Sequence, residues 1–480
     1  MNKQEEIMAI AGKRGFFYPS AEIYKASAGF WTYGHLGKKL KLKFENLWRN
    51  YFLRLNPNYV EIQDCNILPK KVFESSGHIE HFNDPLVECS KCHTRYRADN
   101  IIEEKTGQSC DGLGLDQMDS LIKKNKIICD KCKSHLGDVK FFNMMFELKV
   151  GAVDYQTMYL RPETAQAAYL AFKREYEALR RVLPMGLAVI GKAYRNEINP
   201  RQGFFRLREF TQAELQIFFD PDKIDECEEF DSIKDEKLIV FRKGKINEIK
   251  CSELIGEKLP KMYVYHMHLA QKFYLDVLKI PKEKFRMREL GSDERAFYNK
   301  IHFDIELDLE TLGGFKEVSG IHYRGDHDLG GHQKGSNVKL EIIHQEKKVL
   351  PHVLELSFGV DRIVWAFMDL FYFKEEERNG FKFPYVVCPY DVAVFPLVNK
   401  EELPAISKKI FDELFESFDV FFDDSGSIGR RYRRQDEIGT HYCVTADFDS
   451  VKDGSITLRD RDSMKQERVK ISEIKGFLKK

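Results

Sequence analysis

Long apolar runs are missing from this chain. No stretch approaches the ~18 uninterrupted apolar residues that a membrane-crossing helix requires, and the most apolar candidate, 386–398, is broken by Pro389, Asp391 and Pro396. The first six residues are polar and acidic, without the basic-then-apolar order of a secretory leader or the Arg-rich order of a transit peptide, so a cytoplasmic location is expected. Proline and glycine are sparse, 15 and 31 in 480 residues against 37 Phe and 21 Tyr, which excludes a disordered or collagen-like chain. An excess of one charge is also missing: 76 basic residues balance 76 acidic ones, so any nucleic acid must meet a local patch rather than an overall field. The 10 cysteines do not make a disulfide framework in a chain of this size and compartment. Four of them form two CxxC pairs, an arrangement that suits reduced thiolates on a metal.

The length suits about three folding units at roughly 150 residues each. Leu36, Leu40, Phe44, Leu47, Trp48, Tyr51, Phe52 and Leu55 recur at helical spacing, Asn56-Pro57-Asn58 ends that helix, and 59–63 alternates as a strand that runs toward Pro69. Residues 86–138 hold both CxxC pairs, are poor in large aliphatics and read as an inserted metal module. Strand-like runs 187–197 and 206–219 flank Asn199-Pro200-Arg201-Gln202-Gly203, which supplies turn chemistry for an antiparallel hairpin. Residues 220–261 are charged without clear period, 264–280 is helix-like, and the whole reads as a second insertion. After Pro384, strands at 392–398, 420–422 and 442–446 alternate with a helix at 401–418, the pattern of a separate α/β domain. The expected division is 1–385, containing insertions 86–140 and 220–280, followed by 386–480.

Chemistry concentrates on the hairpin. Side chains alternate along a strand, so Arg195 and Glu197 share a face, as do Arg206, Arg208, Phe210, Gln212 and Glu214 on the return strand. Guanidinium forks suit phosphate, a ring can stack on a base, and carboxylates can hold an ammonium or a metal; a solvated face with cross-strand ion pairs is the alternative. Downstream, 352–357 reads as a strand that places Glu355 and Ser357 on one face. Gly359-Val360-Asp361-Arg362 then opens a helix whose first turn offers free N–H groups to a phosphate.

These segments, in this order, resemble motifs 1, 2 and 3 of the class II aminoacyl-tRNA synthetases. Arg14-Gly15-Phe16-Phe17-Tyr18-Pro19-Ser20, Leu160-Arg161-Pro162-Glu163-Thr164-Ala165-Gln166, Asn199-Pro200-Arg201 and Gly320-Ile321-His322-Tyr323-Arg324-Gly325-Asp326 narrow the resemblance to the glycyl-tRNA synthetases. It spans almost the whole chain and is weakest over 220–261. The resemblance implies an α+β fold in which an antiparallel sheet is flanked by helices, with a zinc module inserted and a C-terminal α/β anticodon-binding domain. It also implies ATP-dependent attachment of glycine to tRNA(Gly) through glycyl-adenylate, by a homodimer, with Mg²⁺ accompanying ATP and no membrane partner.

Site roles follow from the same resemblance. Arg195 would hold the ATP α-phosphate, Phe210 would stack on adenine and Arg362 would hold the outer phosphates; Asn196, Glu197, Phe205, Arg206, Val318 and Gly359 would complete the nucleotide site, with Glu317 acting through Mg²⁺. Glycine would meet Glu163, Glu214, Glu355 and Ser357 with Gln212, Phe210 and Gly359, and Arg97 as a further contact. Leu356 stands where the family more often has Pro, and Asn199 and Phe204 also depart from its usual pattern. Glycine has no side chain to grip, so such a site holds it by ammonium and carboxylate and rejects larger amino acids by crowding. Attack of its carboxylate on the α-phosphate needs positioning and charge neutralisation more than a general base, and none is nominated.

Cys89, Cys92, Cys129 and Cys132 are the expected ligands of one tetrahedral Zn²⁺. The 36 residues between the pairs exceed the usual ~15–20, and Cys110 lies in that gap, so another ligand choice stays open. Arg430, Arg431, Tyr432, Arg433 and Arg434 form a basic run with one aromatic; composition alone favours a solvated helix face, but the resemblance of the region from Tyr390 onward to class II anticodon-binding domains implies a place along tRNA with the ring on an unpaired base. Gly34-His35-Leu36-Gly37 superficially resembles a class I signature but has no second class I element. Two rivals remain at this point: a class II synthetase for threonine, proline or serine, and a synthetase-like RNA-binding protein without catalysis.

Overall fold

Period-two alternation along nine strands builds the central layer. The computed structural model describes every residue except 26, 111, 201–202, 292–293, 296–297 and 479–480. Its main sheet consists of β1 (Tyr59–Glu61), β2 (Met185–Tyr194), β3 (Glu209–Phe219), β4 (Lys237–Arg242), β5 (Lys245–Lys250), β6 (Phe285–Glu289), β7 (Ile301–Leu309), β8 (Gly314–Gly325) and β9 (His352–Gly359). They pair in the order β5-β4-β6-β7-β8-β9-β3-β2-β1, antiparallel except at β4–β6 and β2–β1. The α+β fold with a largely antiparallel sheet is therefore present as expected.

One face of this sheet is apolar. Ala213, Leu215 and Ile217 of β3 and Leu354, Leu356 and Phe358 of β9 pack with α1 (His35–Phe52) and α2 (Val360–Leu370) in one core. The helical spacing of 36–52 is what aims Phe44, Trp48 and Phe52 into it, all fully buried; each such side chain contributes about 2–3 kcal/mol by leaving water. The intervening residues Gln212, Glu214, Gln216, Glu355, Ser357 and Gly359 face the other way. That polar face is capped at one end by the helix Ala165–Ala178, whose Tyr169 and Phe172 pack on Leu187, Phe218 and Val353.

Two expectations change. The hairpin strands stop at Tyr194 and resume at Glu209, so the described residues of 195–208 form a loop that carries a 3₁₀ turn, Gly203–Phe205. Phe204 in that turn is buried and stacks on Phe17 at 4.1 Å, which holds the loop against the N-terminal strap; Arg201 and Gln202 lie outside the described residues. The 220–261 stretch is not irregular throughout: β4 and β5 form a hairpin on the edge of the main sheet. β5 is mostly exposed with Lys and Glu along it, the composition of a protected edge strand, and this charge hides its period.

The CxxC segment has its own sheet, from Asn83–Glu88, Arg95–Arg97 and Lys140–Asn143, and its own small core around Val87, Tyr96, Ile102 and Ile122. At the other end, Val392–Pro396 lies parallel to both Val420–Phe422 and Tyr442–Ala446, with two antiparallel strands completing a five-stranded sheet. Ion pairs Arg14–Glu437 at 2.5 Å and Lys43–Asp391 at 2.5 Å join it to the N-terminal helix and α1. No helix among the described residues is long and apolar enough to cross a membrane.

Candidate active site

Sheet register lays the polar face out as a grid. Val189, Glu214, Ser357 and Gly320 form one row across β2, β3, β9 and β8. Gly191, Gln212 and Gly359 form the row on one side of it, and Gln216, Glu355 and His322 the row on the other. Three glycines, Gly191, Gly320 and Gly359, thus interrupt this floor.

The loop 195–208 and the first turn of α2 close over the Gln212–Gly359 end. Arg195 lies 5.3 Å from the Phe210 ring and donates to the Pro162 carbonyl at 3.1 Å. Arg362 pairs with Glu317 at 3.1 Å and lies 5.4 Å from the Phe205 ring. Arg206 pairs with Glu197 at 2.7 Å. Asp361 accepts from the Tyr33 hydroxyl at 2.5 Å and from the Thr211 backbone N–H, which fixes the start of α2 to β3. Arg195, Phe210 and Arg362 all line one cleft of about 980 Å³ up to its open mouth, together with Glu197, Phe205, Arg206, Glu317, Val318 and Gly359.

At the other end the cleft narrows onto carboxylates. Glu163, Glu214, Glu355, Ser357 and Gln212 line it, each carboxylate buried. Glu214 accepts from Thr164 Oγ1 at 2.7 Å and from Ser357 Oγ at 2.8 Å. Glu355 accepts from Arg324 Nη1 at 2.8 Å and Gln216 Nε2 at 3.0 Å. Arg324 also binds Asp328 at 2.8 Å and lies 3.7 Å from Glu163, under the ring of Tyr298. Burial, followed by the Glu355 and Glu163 charges, pushes Glu214 up to about 8. Burial acts on Glu163 too, but His78 and Arg324 beside it hold it well below the usual carboxylate range. Glu355 is raised, burial outweighing Arg324. A site that keeps one carboxylate ionised and another on the verge of ionising is built to take a cation.

Three expected residues fall elsewhere. Arg97 is not on the wall: it pairs with Asp84 at 3.0 Å and Asp99 at 2.5 Å at the root of the CxxC module. Asn196 is spent on the loop, its backbone N–H donating to Met144 O at 2.7 Å, and does not line the cleft. Arg208, which strict alternation would place beside Arg206, instead donates to the Glu197 and Ala28 carbonyls at 2.8 and 3.0 Å, because the pleat ends at Glu209. The wall also includes Thr211, Tyr298, Ser319, Gly320, His322 and Asp361. Of these, Gly320 and His322 sit in the 320–326 segment, the one sequence signal that pointed to them, and Arg324 behind them belongs to it as well.

Two other sets of residues can be placed. Cys89, Cys92, Cys129 and Cys132 bring their Sγ atoms within 4.8 Å of one another, with Cys89–Cys132 at 3.4 Å and Cys92–Cys129 at 3.5 Å. A tetrahedral thiolate site with ~2.3 Å metal–sulfur bonds has comparable edges, so the donor set fits zinc. Cys110 packs in the module core instead. In the helix Ile428–Ile438 the basic run divides. Arg431 is buried and donates to the carbonyls of Pro396, Asp424 (2.6 Å) and Gly426 (2.8 Å). The Tyr432 hydroxyl bonds Thr445 Oγ1 at 2.7 Å and its ring packs on Phe395, so it is not presented to a base, and Arg434 pairs with Asp423 at 2.7 Å. Arg430 and Arg433 alone are exposed.

Comparison with known proteins agrees with this geometry. A family model described as the tRNA synthetase class II core domain (G, H, P, S and T) matches residues 146–371, and one described as an anticodon binding domain matches 391–480. The chain is 37% identical to a glycine–tRNA ligase of Thermococcus gammatolerans, covering 100% of this chain and 98% of that one. It is 37% identical to that of Pyrococcus furiosus (100% and 99% covered) and 36% identical to that of Aeropyrum pernix (99% and 96%). A solved structure described as the RNA binding domain of threonyl-tRNA synthetase from Cryptosporidium parvum superimposes with a TM-score of 0.61 at 17% identity, over 98% of this chain and 97% of that one, a likeness of fold.

Proposed function

We propose residue roles for this chain, which belongs to the glycine–tRNA ligase family and joins glycine to tRNA(Gly) with ATP in protein synthesis. The observation that carries them is that Arg195, Phe210 and Arg362 border the same cleft as the buried carboxylates Glu163, Glu214 and Glu355. ATP lies bent in the wide end: Phe210 stacks on adenine, Arg195 neutralises the α-phosphate and Arg362 takes the outer phosphates. Glu197 holds Arg206 at the mouth, with Phe205 and Val318 beside it. Glu317 would hold the Mg²⁺ that accompanies ATP, which would leave Arg362, now paired with it, for the phosphates.

Glycine occupies the narrow end. Its ammonium is held by Glu163 and Glu214, with Glu355 adding negative potential, and its carboxylate points toward the α-phosphate over Gly359. With two guanidiniums fixed on either side, attack on phosphorus needs no proton transfer from the protein, and stabilisation of charge at the α-phosphate is the main contribution. That attack expels pyrophosphate and leaves glycyl-adenylate; a hydroxyl of the terminal ribose of tRNA then attacks its carbonyl from the open mouth and expels AMP. ATP–pyrophosphate exchange across amino acids tests this: glycine alone sustains exchange, and activity with serine or threonine but not glycine defeats the assignment. Arg362→Ala abolishes exchange while tRNA retention on a filter persists; loss of retention with intact exchange contradicts the role.

Zinc in the four-cysteine site, with a structural role, is supported by the sulfur spacing. A homodimer is supported by the exposed apolar set Ile67, Val150, Val153 and Tyr155 on and beside one three-stranded sheet. We place the boundary to the anticodon-binding domain near residue 385, and the cytoplasm as its compartment, where four paired thiols stay reduced. Arg430 and Arg433 are the members of the basic run open to tRNA.

A further inference from the structure

His322 stands on the wall of the cleft, opposite Glu355 on the neighbouring strand and two residues from Gly320 on its own. Gly320 lies in the floor row with Glu214 and Ser357, where a substrate α-carbon would rest. A Cβ built on Gly320 would lie 2.4 Å from His322 Nε2 and 2.9 Å from Cε1. The imidazole therefore leans out of its own row and fills the space that the missing Gly320 side chain leaves.

That ring is clamped. Its Nδ1 is 3.1 Å from the Asn299 amide nitrogen, a donor, which leaves the ring hydrogen on Nε2. Nε2–H then faces Glu355 Oε1 at 3.5 Å, and the ring lies against His302, tilted by 46° with centroids 4.1 Å apart. His302 is held in turn by Asp304 at 2.9 Å. The side chain is 14% exposed, and burial with the His302 and Arg324 charges keeps it neutral, its pKa well below the usual histidine value. A rigid neutral ring between an anionic niche and a bare floor glycine adds no attraction for ammonium. It removes volume.

We propose that His322 sets the size limit of the amino-acid niche: its clamped imidazole occupies the space a substrate β-carbon would need, and so separates glycine from alanine and serine. This rests on the placement of glycine over the Glu214–Ser357–Gly320 row. Crowding by a wall that cannot yield discriminates against an added methyl more strongly than a pocket discriminates against a missing one.

The test is ATP–pyrophosphate exchange with glycine, alanine and serine on wild type, His322→Ala and His322→Gln, reported as the ratio of kcat/KM for glycine to that for alanine. Each ratio is taken on one preparation, so the fraction of active enzyme cancels. His322→Ala lowers the ratio by roughly tenfold or more, mainly through a lower KM for alanine, while His322→Gln, which keeps an N–H toward Glu355 and most of the volume, stays within about threefold of wild type. An unchanged ratio in His322→Ala, or a loss of exchange with every amino acid, overturns the inference and leaves a purely structural histidine. Wild type that fails to exchange with glycine overturns instead the reading of the cleft on which the inference rests.

Discussion

Glu214 carries the sharpest quantitative consequence of the site. Its carboxyl is pushed up to about 8 because burial and two neighbouring glutamates oppose its charge. At pH 7 the free protein therefore holds a proton there about nine times in ten. An ammonium placed between Glu163 and Glu214 needs the ionised form, so glycine binding at pH 7 expels close to one proton. The raised group makes binding weaker below pH 8: each unit below that value costs ~1.4 kcal/mol, about tenfold in affinity, and the dependence flattens above it. Calorimetric titration of glycine at pH 7 in two buffers of different ionisation enthalpy measures the expelled proton directly. Wild type yields roughly 0.9 proton per glycine, and affinity rises about tenfold from pH 6 to 7. In Glu214→Gln both the release and the pH slope collapse. Equal heats in the two buffers for wild type, or an undiminished release in the Gln variant, would refute the placement of the ammonium on Glu214.

Other perturbations separate structural from functional residues. Arg431→Ala removes three hydrogen bonds from a buried guanidinium to carbonyls and destabilises the C-terminal unit by about 2–4 kcal/mol in denaturant unfolding, whereas Arg430→Glu with Arg433→Glu leaves stability unchanged and weakens tRNA binding several-fold. Elemental analysis gives close to one zinc per chain, and Cys129→Ser, or prolonged chelation, removes it and exposes the 83–143 backbone to hydrogen exchange; a full complement of zinc in the variant contradicts the four-sulfur site. Val153→Asp, on the most exposed of the apolar side chains beside the small three-stranded sheet, shifts the mass seen by light scattering toward the monomer if that face joins two chains; an unshifted dimer moves the interface elsewhere.

What was legible in the sequence follows from which physical signal each feature leaves. The helix at 35–52 and the strand at 352–359 announce themselves because one side of each is apolar at a fixed period, and the strand's other side, Glu355 and Ser357, is polar by the same rule. The cleft residues Phe210, Gln212 and Glu214 follow from extending that period along 209–219. The rule fails where the strand does: Arg208 has the right parity and the wrong surroundings, since beyond Glu209 the chain follows the Phe204–Phe17 stack rather than a pleat. Tyr432 fails for a similar reason. An aromatic among arginines suits a nucleobase by composition, but its position on the helix turns it toward Phe395. The edge strand 245–250 was hidden because the charges that protect an edge from pairing also erase its apolar alternation.

The niche itself could not be read from any single segment. Its floor joins residues 214, 320 and 357 by sheet register, and the groups that tune it arrive from further away. Ser76 Oγ bonds His78 Nδ1 at 2.8 Å, which turns His78 Nε2 toward Glu163 at 3.5 Å, while Gln166 donates to the same carboxylate at 2.8 Å. Arg324 satisfies Glu355 and Asp328 together and makes no ion pair with Glu214. Among Glu163, Glu214 and Glu355, then, the one carboxylate bound by neutral hydroxyls alone is the one whose proton an incoming ammonium can displace. Supplying Glu214 with a local cation, by Thr164→Lys for instance, would satisfy it in the free protein and remove both the expelled proton and the attraction for glycine. Retained glycine exchange in such a folded variant would mean that the substrate ammonium is held elsewhere.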